Sequence, residues 1–400
     1  MQRLIYRSAK FRVYPSKQQD AHLRHLLEVG CTVHNLCLYR LRKQLARDKC
    51  VLPLENSKRW SKKKHFQQYY QQLPTWFQTG VIRAADRQFF ATLRDGVPHF
   101  RPKVPTRYHS IDISAGFPII GGKRLYIGAF DGLRIKPHRP LPKDCQIYQQ
   151  TLSLDGSGRW FYLVRYSTVI DIPENTGTAA VGVDVGCRTY VTLSTGEAFE
   201  HPHFGNSVRE RMHALHRVLK HSSPDSARYR VADIELQRIV TRLKDRQKNF
   251  MHQLSRQLVD RFDVICVEDL DVKRMLQKTR TNSKLFDTIL DSQWSTFISM
   301  LTYKAESAGK KVIRVPAYHT SNLCSGCGAM VEKTLSDRTH VCPHCGLILD
   351  RDHNAALNIL KRGTRQDTAV SEVVPTTVHR NAISSAPDST TTTEVTHRSK

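Results

Sequence analysis

The sequence predicts a multidomain α+β protein. An N-terminal antiparallel β-barrel-like domain with a helical insertion precedes an α/β layer domain that carries a cysteine-rich insert. Three observations support this. Short apolar runs joined by Gly-containing turns fill roughly residues 110–166, the texture of hairpins. From about residue 180, strands alternate with long helical stretches, the pattern of a layered α/β fold. Two C-x-x-C pairs, at 324–327 and 342–345, interrupt that second pattern just before its last helix. A chain of 400 residues is also more than one hydrophobic core usually organises.

The first segment, about Leu4 to Val13, alternates enough to be a strand and ends at Pro15-Ser16. A helix should begin there. Ser16 can cap it, Gln19 stands at the capping-box position, and Leu23, Leu26, Leu27, Val33, Leu36, Leu41 and Leu45 follow at helical spacing. Two further helices are predicted, near Ser57–Leu73 and near Val81–Leu93, the second closed by Asp95-Gly96. The first carries Lys58, Arg59, Lys62, Lys63 and Lys64 beside Trp60, Phe66, Tyr69 and Tyr70, and of these Trp60, Tyr69 and Tyr70 are expected to pack rather than to stack on bases. Beyond Ser110, turns are expected at Gly121-Gly122, at Asp131-Gly132, and at Asp155-Gly156 with Gly158. Residues 1–172 thus form one antiparallel β domain with a helical insertion at about 16–96. Ile172–Thr178, with Pro173, Asn175 and Gly177, reads as a linker.

The run AAVGVDVG is nearly all apolar, as buried central strands are. YVTLSTGEAFE adds a second strand and a turn at Thr195-Gly196. A long helical region follows, broken near Pro224. In its second half Ile239, Leu243, Phe250, Leu254, Leu258 and Phe262 keep one face apolar, and Arg238, Arg242, Lys244, Arg246, Lys248 and Arg256 occupy the others. DVICVEDL is a strand, Trp294–Ala308 a helix closed by Gly309, and KVIRVP a further strand. A last helix lies near Asp352–Lys361. After about Thr364 the composition turns to Ser and Thr with few apolar residues, so 364–400 is expected to be a disordered tail.

Composition narrows the function classes. Hydrophobic residues make up 40% of the chain, and no apolar run approaches the roughly 18 to 20 residues that cross a bilayer. The opening MQRLIYRSAKFRVYP mixes charges among its apolar residues and does not read as a secretory signal. The expected location is the cytoplasm. The 62 Lys+Arg against 36 Asp+Glu leave a formal charge of +26. Such an excess points to a polyanionic partner, and nucleic acid is the default. A basic membrane-surface protein is the weaker reading, because the charge is not gathered in one amphipathic segment. Cys31, Cys37, Cys50, Cys145, Cys187 and Cys266 are scattered, so they read as reduced thiols rather than a disulfide framework.

Two groups of residues carry chemistry. Cys324, Cys327, Cys342 and Cys345 form twin knuckles, each followed by glycine, that let four thiolates close tetrahedrally on one zinc ion. Four protein ligands leave no open position, so that zinc is structural. His340 and His344 lie nearby but are not needed as ligands. The second group is acidic. Asp184 sits inside the apolar strand VGVDVG, Glu268 ends VICVE, and Asp352 opens the last helix. Taken singly, each could be a hydrogen-bonded core acid, and Asp352 a helix cap. A lone carboxylate at a buried strand position costs several kcal/mol unless compensated, and a metal ion is a usual compensation. Together the three suit Mg²⁺, with two ions about 4 Å apart activating water and steadying a leaving oxygen in phosphodiester hydrolysis.

The blocks GVDVG, VICVEDLDVKRM, SQWSTFISMLTYKAESAGKKVIRVPAYHTSNLCSGCG and CPHCGLILDRDHNAALNIL, together with the opening KFRVYP, resemble the TnpB family. These are the insertion-sequence OrfB proteins, RuvC-like RNA-guided DNA endonucleases related to type V CRISPR effectors. The resemblance implies an RNase H-like (RuvC) α/β domain at 179–319 and 350–363, with a zinc ribbon inserted at 320–349. It gives Asp184, Glu268 and Asp352 the catalytic Mg²⁺-ligand positions, with Mn²⁺ able to substitute. It also implies a guide RNA from the transposon end and double-stranded target DNA, cut next to a short motif that the wedge-like N-terminal barrel helps to read. No membrane partner is implied, and a monomer on its RNA, nucleoid-associated in a prokaryotic cytosol, is favoured. Lys and Arg on the helices at 57–73 and 238–256 are candidates for holding a heteroduplex by its backbone, and the polar stretch Asp271–Asp287 is a candidate lid. Cys187-Arg188 and Asn322 depart from the family pattern without touching an expected ligand. The alternatives are a catalytically silent RNA-guided DNA-binding regulator and a transposase-associated DNA-binding protein.

Overall fold

The computed structural model describes residues 2–48, 53–54, 64–94, 102–113, 119–121, 123–127, 130–175, 177–272, 275, 277, 293–334 and 337–370. The tail at 371–400 and most of the candidate lid at 271–287 therefore lie outside the described residues. So do Cys50, Lys58, Arg59, Trp60, Lys62 and Lys63.

Strand β1 (Gln2–Tyr14) leads into helix α1 (Lys17–Asp48). The capping box forms in both directions: the Gln19 N–H donates to Ser16 Oγ at 3.2 Å, and the Ser16 N–H donates to Gln19 Oε1 at 2.9 Å. Helix α2 (Lys64–Tyr70) is the described part of the segment expected at 57–73. Helix α3 (Thr75–Arg94) starts six residues earlier than its apolar spacing indicated. The Pro74 carbonyl accepts from the Phe77 and Gln78 N–H groups, and buried Trp76 and Phe77 extend the apolar face by a turn.

The strands that follow are β2 (Ser110–Ile113), β3 (Ile119–Gly121), β4 (Arg124–Ile127), β5 (Phe130–Lys136), β6 (Gln146–Leu154) and β7 (Trp160–Asp171). With β1 they make a seven-stranded antiparallel sheet in the order β2-β6-β7-β1-β5-β4-β3. The sheet curls into a half-barrel; among the described strands it ends at β2 and β3, so the expected barrel is a half-barrel. One expected turn moves. Ile127 pairs with Phe130, and Asp131-Gly132 lies inside β5. There Gly132 takes φ +50°, beside a register shift between Leu125 and Ile127, as a strand irregularity rather than a hairpin tip does. The turn at 155–159 forms as expected, with Asp155 Oδ1 accepting from the Ser157 and Arg159 N–H groups.

The inner face of this sheet packs on α1 and α3 through Phe11, Val13, Leu23, Phe77, Phe89 and Trp160. Trp160 Nε1 donates to Asp20 Oδ1 at 2.7 Å, tying the sheet to α1. Tyr69 and Tyr70 pack against this core, as expected of them.

A second sheet contains β8 (Ala180–Val185), β9 (Thr189–Leu193), β10 (Ala198–Glu200), β11 (Val264–Asp269) and β12 (Lys311–Pro316), ordered β10-β9-β8-β11-β12. The first three form an antiparallel meander, and β11 and β12 add in parallel. Between β10 and β11 run α4 (Arg209–His221) and α5 (Ala227–Arg261), separated around Pro224. The cap of α5 is Ser226, whose Oγ accepts from the Tyr229 N–H at 3.1 Å. Helix α6 (Trp294–Ser307) precedes β12 and ends in a Schellman motif, with Gly309 at φ +71° and the Lys310 N–H on the Ala305 carbonyl at 2.8 Å. Short strands β13 (Thr339–Val341) and β14 (Ile348–Asp350) lie in the cysteine-rich insert, and α7 (Arg351–Val370) closes the fold. Helix α7 runs nine residues past its expected end and takes in 364–370, the first part of the expected disordered tail, since GTRQDTAV holds no proline to stop it.

The first sheet touches helices α5 and α6 through polar contacts. Arg159 reaches Asp245 Oδ2 on α5 at 3.1 Å, and Arg7 donates to Ser307 Oγ on α6 at 2.7 Å. Among the described residues no helix is long and apolar enough to cross a membrane.

Candidate active site and thiolate cluster

Strand pairing places the first two acids. Val183 and Val267 are partners in the parallel β8–β11 pair, so Asp184 and Glu268, one step further on, are neighbours at the carboxyl ends of these strands. Side chains alternate along a strand, so Gly182 shares a face with Asp184, and Cys266 with Glu268. That face carries α7: a methyl on Gly182 would meet the Ala356 carbonyl oxygen and Leu360, and one on Gly363 would meet Cys266 Sγ. Val181, Val183, Val185, Ile265 and Val267 point the other way, into a core with Leu254, Leu258, Phe297 and Leu301.

The third acid arrives on α7. Asp350 caps this helix, its Oδ1 accepting from the Asp352 N–H at 2.8 Å and the His353 N–H at 3.1 Å. The cap role weighed for Asp352 therefore belongs to Asp350, and the Asp352 side chain is left for the sheet. Its Oδ2 lies 3.9 Å from where a Gly186 Cβ would stand, just past the end of β8. The structure thus brings all three acids to one corner of the fold.

Their electrostatics follow from that placement. Asp184 and Glu268 are each only 8% exposed. Burial holds the Asp184 carboxyl well above its ordinary range, and the Glu268 and Asp352 charges add to the effect. Burial also raises Glu268, against a hydrogen bond donated by the Thr320 hydroxyl. Asp352 is raised by burial and by Asp350, against the charges of Arg338, Arg351 and Arg188. Two buried acids and a half-buried third that repel one another suit a divalent cation as their shared partner. The three carboxyl groups are more widely spaced than the thiols, whose four sulfur atoms all lie within 4.8 Å of one another.

The four sulfurs are tighter because the knuckles fix them. Cys324 Sγ and Cys345 Sγ are 3.6 Å apart, as are Cys327 Sγ and Cys342 Sγ. A tetrahedron with metal–sulfur bonds of about 2.3 Å has sulfur–sulfur edges of about 3.8 Å, so the set fits zinc. Gly328 and Gly346 take φ +78° and +73°, left-handed positions that close each knuckle. The Gly328 N–H bonds the Cys324 carbonyl, and the Gly346 N–H bonds the Cys342 carbonyl. Burial works against the Cys342 thiolate, but backbone N–H groups of Cys345 and His344 bring its pKa down to about 6. Of the scattered cysteines Cys31, Cys37 and Cys266 are buried and Cys145 and Cys187 partly so, and no described cysteine forms a disulfide.

Sequence reasoning missed the residues that join the two sites. Asn354 and Asn358, one turn apart on α7, are both buried. The Asn354 amide donates to the Leu323 carbonyl at 2.7 Å and accepts from the Ser325 N–H at 2.8 Å. Asn358 donates to the Thr320 and Leu323 carbonyls at 2.9 and 2.7 Å. The available signal was an i, i+4 asparagine pair in the otherwise apolar stretch NAALNIL.

Two family models match the chain: OrfB_IS605, described as "Probable transposase", over residues 162–279, and the Cas12f1-like TNB domain over residues 294–359. Similar proteins include a "Putative RNA-guided DNA endonuclease" of Streptomyces pristinaespiralis, 30% identical over 371 residues, covering 91% of this chain and 90% of that one. The Escherichia coli K12 protein given the same description with the name InsQ is 26% identical, over 52% of this chain and 54% of its own. "TnpB-like protein L79" of Acanthamoeba polyphaga mimivirus is 26% identical, over 54% of this chain and 43% of its own. On the near full-length match above all, the chain belongs to the TnpB family, the OrfB proteins of insertion elements.

Proposed function

We propose that this protein is an RNA-guided DNA endonuclease of a transposable element, cutting target DNA by metal-dependent phosphodiester hydrolysis. The placement of Asp184 beside Glu268, with Asp352 delivered by α7, is the observation that carries this reading. The five-stranded sheet with α7 is read as an RNase H-like nuclease domain, spanning 179–319 and 350–363. The cysteine-rich insert at 320–349 is read as a zinc ribbon, and the half-barrel with its helices at 1–172 as the unit that helps recognise the target-adjacent motif.

In this reading Asp184, Glu268 and Asp352 are the ligands of Mg²⁺, or of Mn²⁺ in its place. A bound pair of such ions supplies an activated water and charge stabilisation for the leaving oxygen. The chain's own part is to hold the ligands at fixed positions. Asp184 and Glu268 are set by strand register, and Asp352 by the Asp350 cap. One zinc on Cys324, Cys327, Cys342 and Cys345 is structural, since four thiolates leave it no open position. The +26 charge suits a guide RNA and a DNA duplex as partners.

The test is Asp184→Ala in the complex with its native RNA. The expected result is loss of cleavage of a matched duplex by at least about a hundredfold, with target binding retained. Unchanged cleavage would sink the assignment of the site. An unchanged biological effect in the host, despite lost cleavage, would favour the binding-only regulator.

A further inference from the structure

We propose that Thr320 is a positioning residue for Glu268, and that the first cysteine knuckle and α7 together set where Thr320 stands. The inference rests on the site reading given above and goes beyond it. Thr320 is 3% exposed and lies between β12 and the first knuckle. Its hydroxyl donates to Glu268 Oε1; the Ala317 carbonyl, at 3.4 Å, is a poorer acceptor. A hydroxyl has one proton to give, so the bond to the carboxylate uses it and fixes one of the two Glu268 oxygens. The other oxygen is left for a cation.

Thr320 is itself held from two sides. Its carbonyl accepts from the Asn358 amide on α7, the helix that also brings Asp352. Asn358 and Asn354 both bond the Leu323 carbonyl, directly before Cys324, and Asn354 accepts from the Ser325 N–H inside the knuckle. Lys361 adds a bond to the Ser325 carbonyl, and Arg362 bonds the Pro316 and Tyr318 carbonyls at 2.9 and 2.6 Å. Four side chains of one helix face thus fix the backbone from 316 to 325, and Thr320 is the point where that segment touches an acid. A carboxylate at the last buried position of a strand can adopt more than one side-chain conformation, and a hydrogen bond from a fixed hydroxyl selects among them.

The test compares Thr320→Val, which keeps shape and removes the hydroxyl, with Thr320→Ser, which keeps the hydroxyl. Two quantities are read on the full zinc-loaded chain: Mn²⁺ affinity by calorimetry, and the Mg²⁺ concentration for half-maximal single-turnover cleavage by the RNA complex. Thr320→Val is expected to weaken Mn²⁺ binding and to raise the half-saturating Mg²⁺, each by about tenfold, with target affinity unchanged. Thr320→Ser is expected to stay within about twofold of the wild type. Wild-type metal affinity in Thr320→Val overturns the inference, and so does equal impairment of the two variants. If Thr320→Val does not fold, lost metal affinity in Thr320→Ser still overturns it. Asp184→Ala, run in parallel, separates the two readings. If it cuts normally, the site assignment itself has failed; if it is dead while Thr320→Val binds metal normally, only the positioning role has.

Discussion

Gly182 on β8 and Ala356 on α7 approach so closely that no side chain fits between them: a Cβ on Gly182 would collide with the Ala356 carbonyl oxygen and press on Leu360. This contact sets how far α7 stands from the sheet, and hence how far Asp352 stands from Asp184. The glycine is needed here for space, not for a left-handed backbone.

Gly182→Ala should therefore destabilise the chain by about 1–3 kcal/mol or more, because the obstacle is backbone and cannot rotate away. Chemical denaturation checks the stability, and cleavage should fall with it as α7 is pushed outward. An unchanged midpoint would show that the helix rides on the sheet more loosely than its contacts indicate.

Removal of one thiolate, by Cys345→Ser, should reduce the zinc content from one per chain to well below half. The associated loss is on the order of several kcal/mol, since binding energy at such a site is folding energy. Elemental analysis reads the metal and thermal unfolding the stability. Because Asn354 and Asn358 bond the knuckle backbone, cleavage should weaken as well.

His34, on α1, is fully buried against Tyr108, with ring centroids 5.6 Å apart. Burial, with Lys103 adding to it, lowers its pKa from 6.5 to about 4. The folded state thus binds fewer protons than the unfolded state between those values. Stability is full above about 6.5 and falls as the pH drops through the window, by on the order of 3 kcal/mol at its foot. Unfolding midpoints of wild type and His34→Phe between pH 7 and pH 4 check this. The wild type should lose more over that range, and parallel curves would refute the assignment.

Affinity for nucleic acid should depend steeply on salt. Contacts to six or more phosphates imply a loss of roughly a thousandfold between 50 and 200 mM salt. Filter binding of the native RNA across that range reads the slope. A shallow slope would mean that the +26 charge is spread over surfaces the RNA does not touch.

Much of the fold was legible because its signals are local. The Ser16–Gln19 capping box, the glycine after each knuckle and the apolar run around Asp184 each state their structure within a few residues. Local signals failed where a neighbour elsewhere decided the matter. Asp131-Gly132 has the composition of a turn, yet pairing of β5 with β4 and β1 draws it into a strand. Asp350 and Asp352 are equally good cap candidates in sequence, and only the packing of α7 on β8 leaves one as cap and turns the other to the sheet.

The sequence alone determined which residues are unusual for their setting: acids in apolar strands, paired thiols, and a surplus of positive charge. It did so because burying a lone carboxylate is costly enough for one to stand out without a structure. Only the tertiary structure decided that Asp184 and Glu268 are neighbours, since strand register fixes that across some eighty residues of intervening chain. It also decided that Thr320 meets Glu268 and that two asparagines bind the knuckle to the same helix. Hydrogen bonds between groups so distant along the chain leave no periodic trace in sequence, because their geometry exists only once both sheets and α7 have packed.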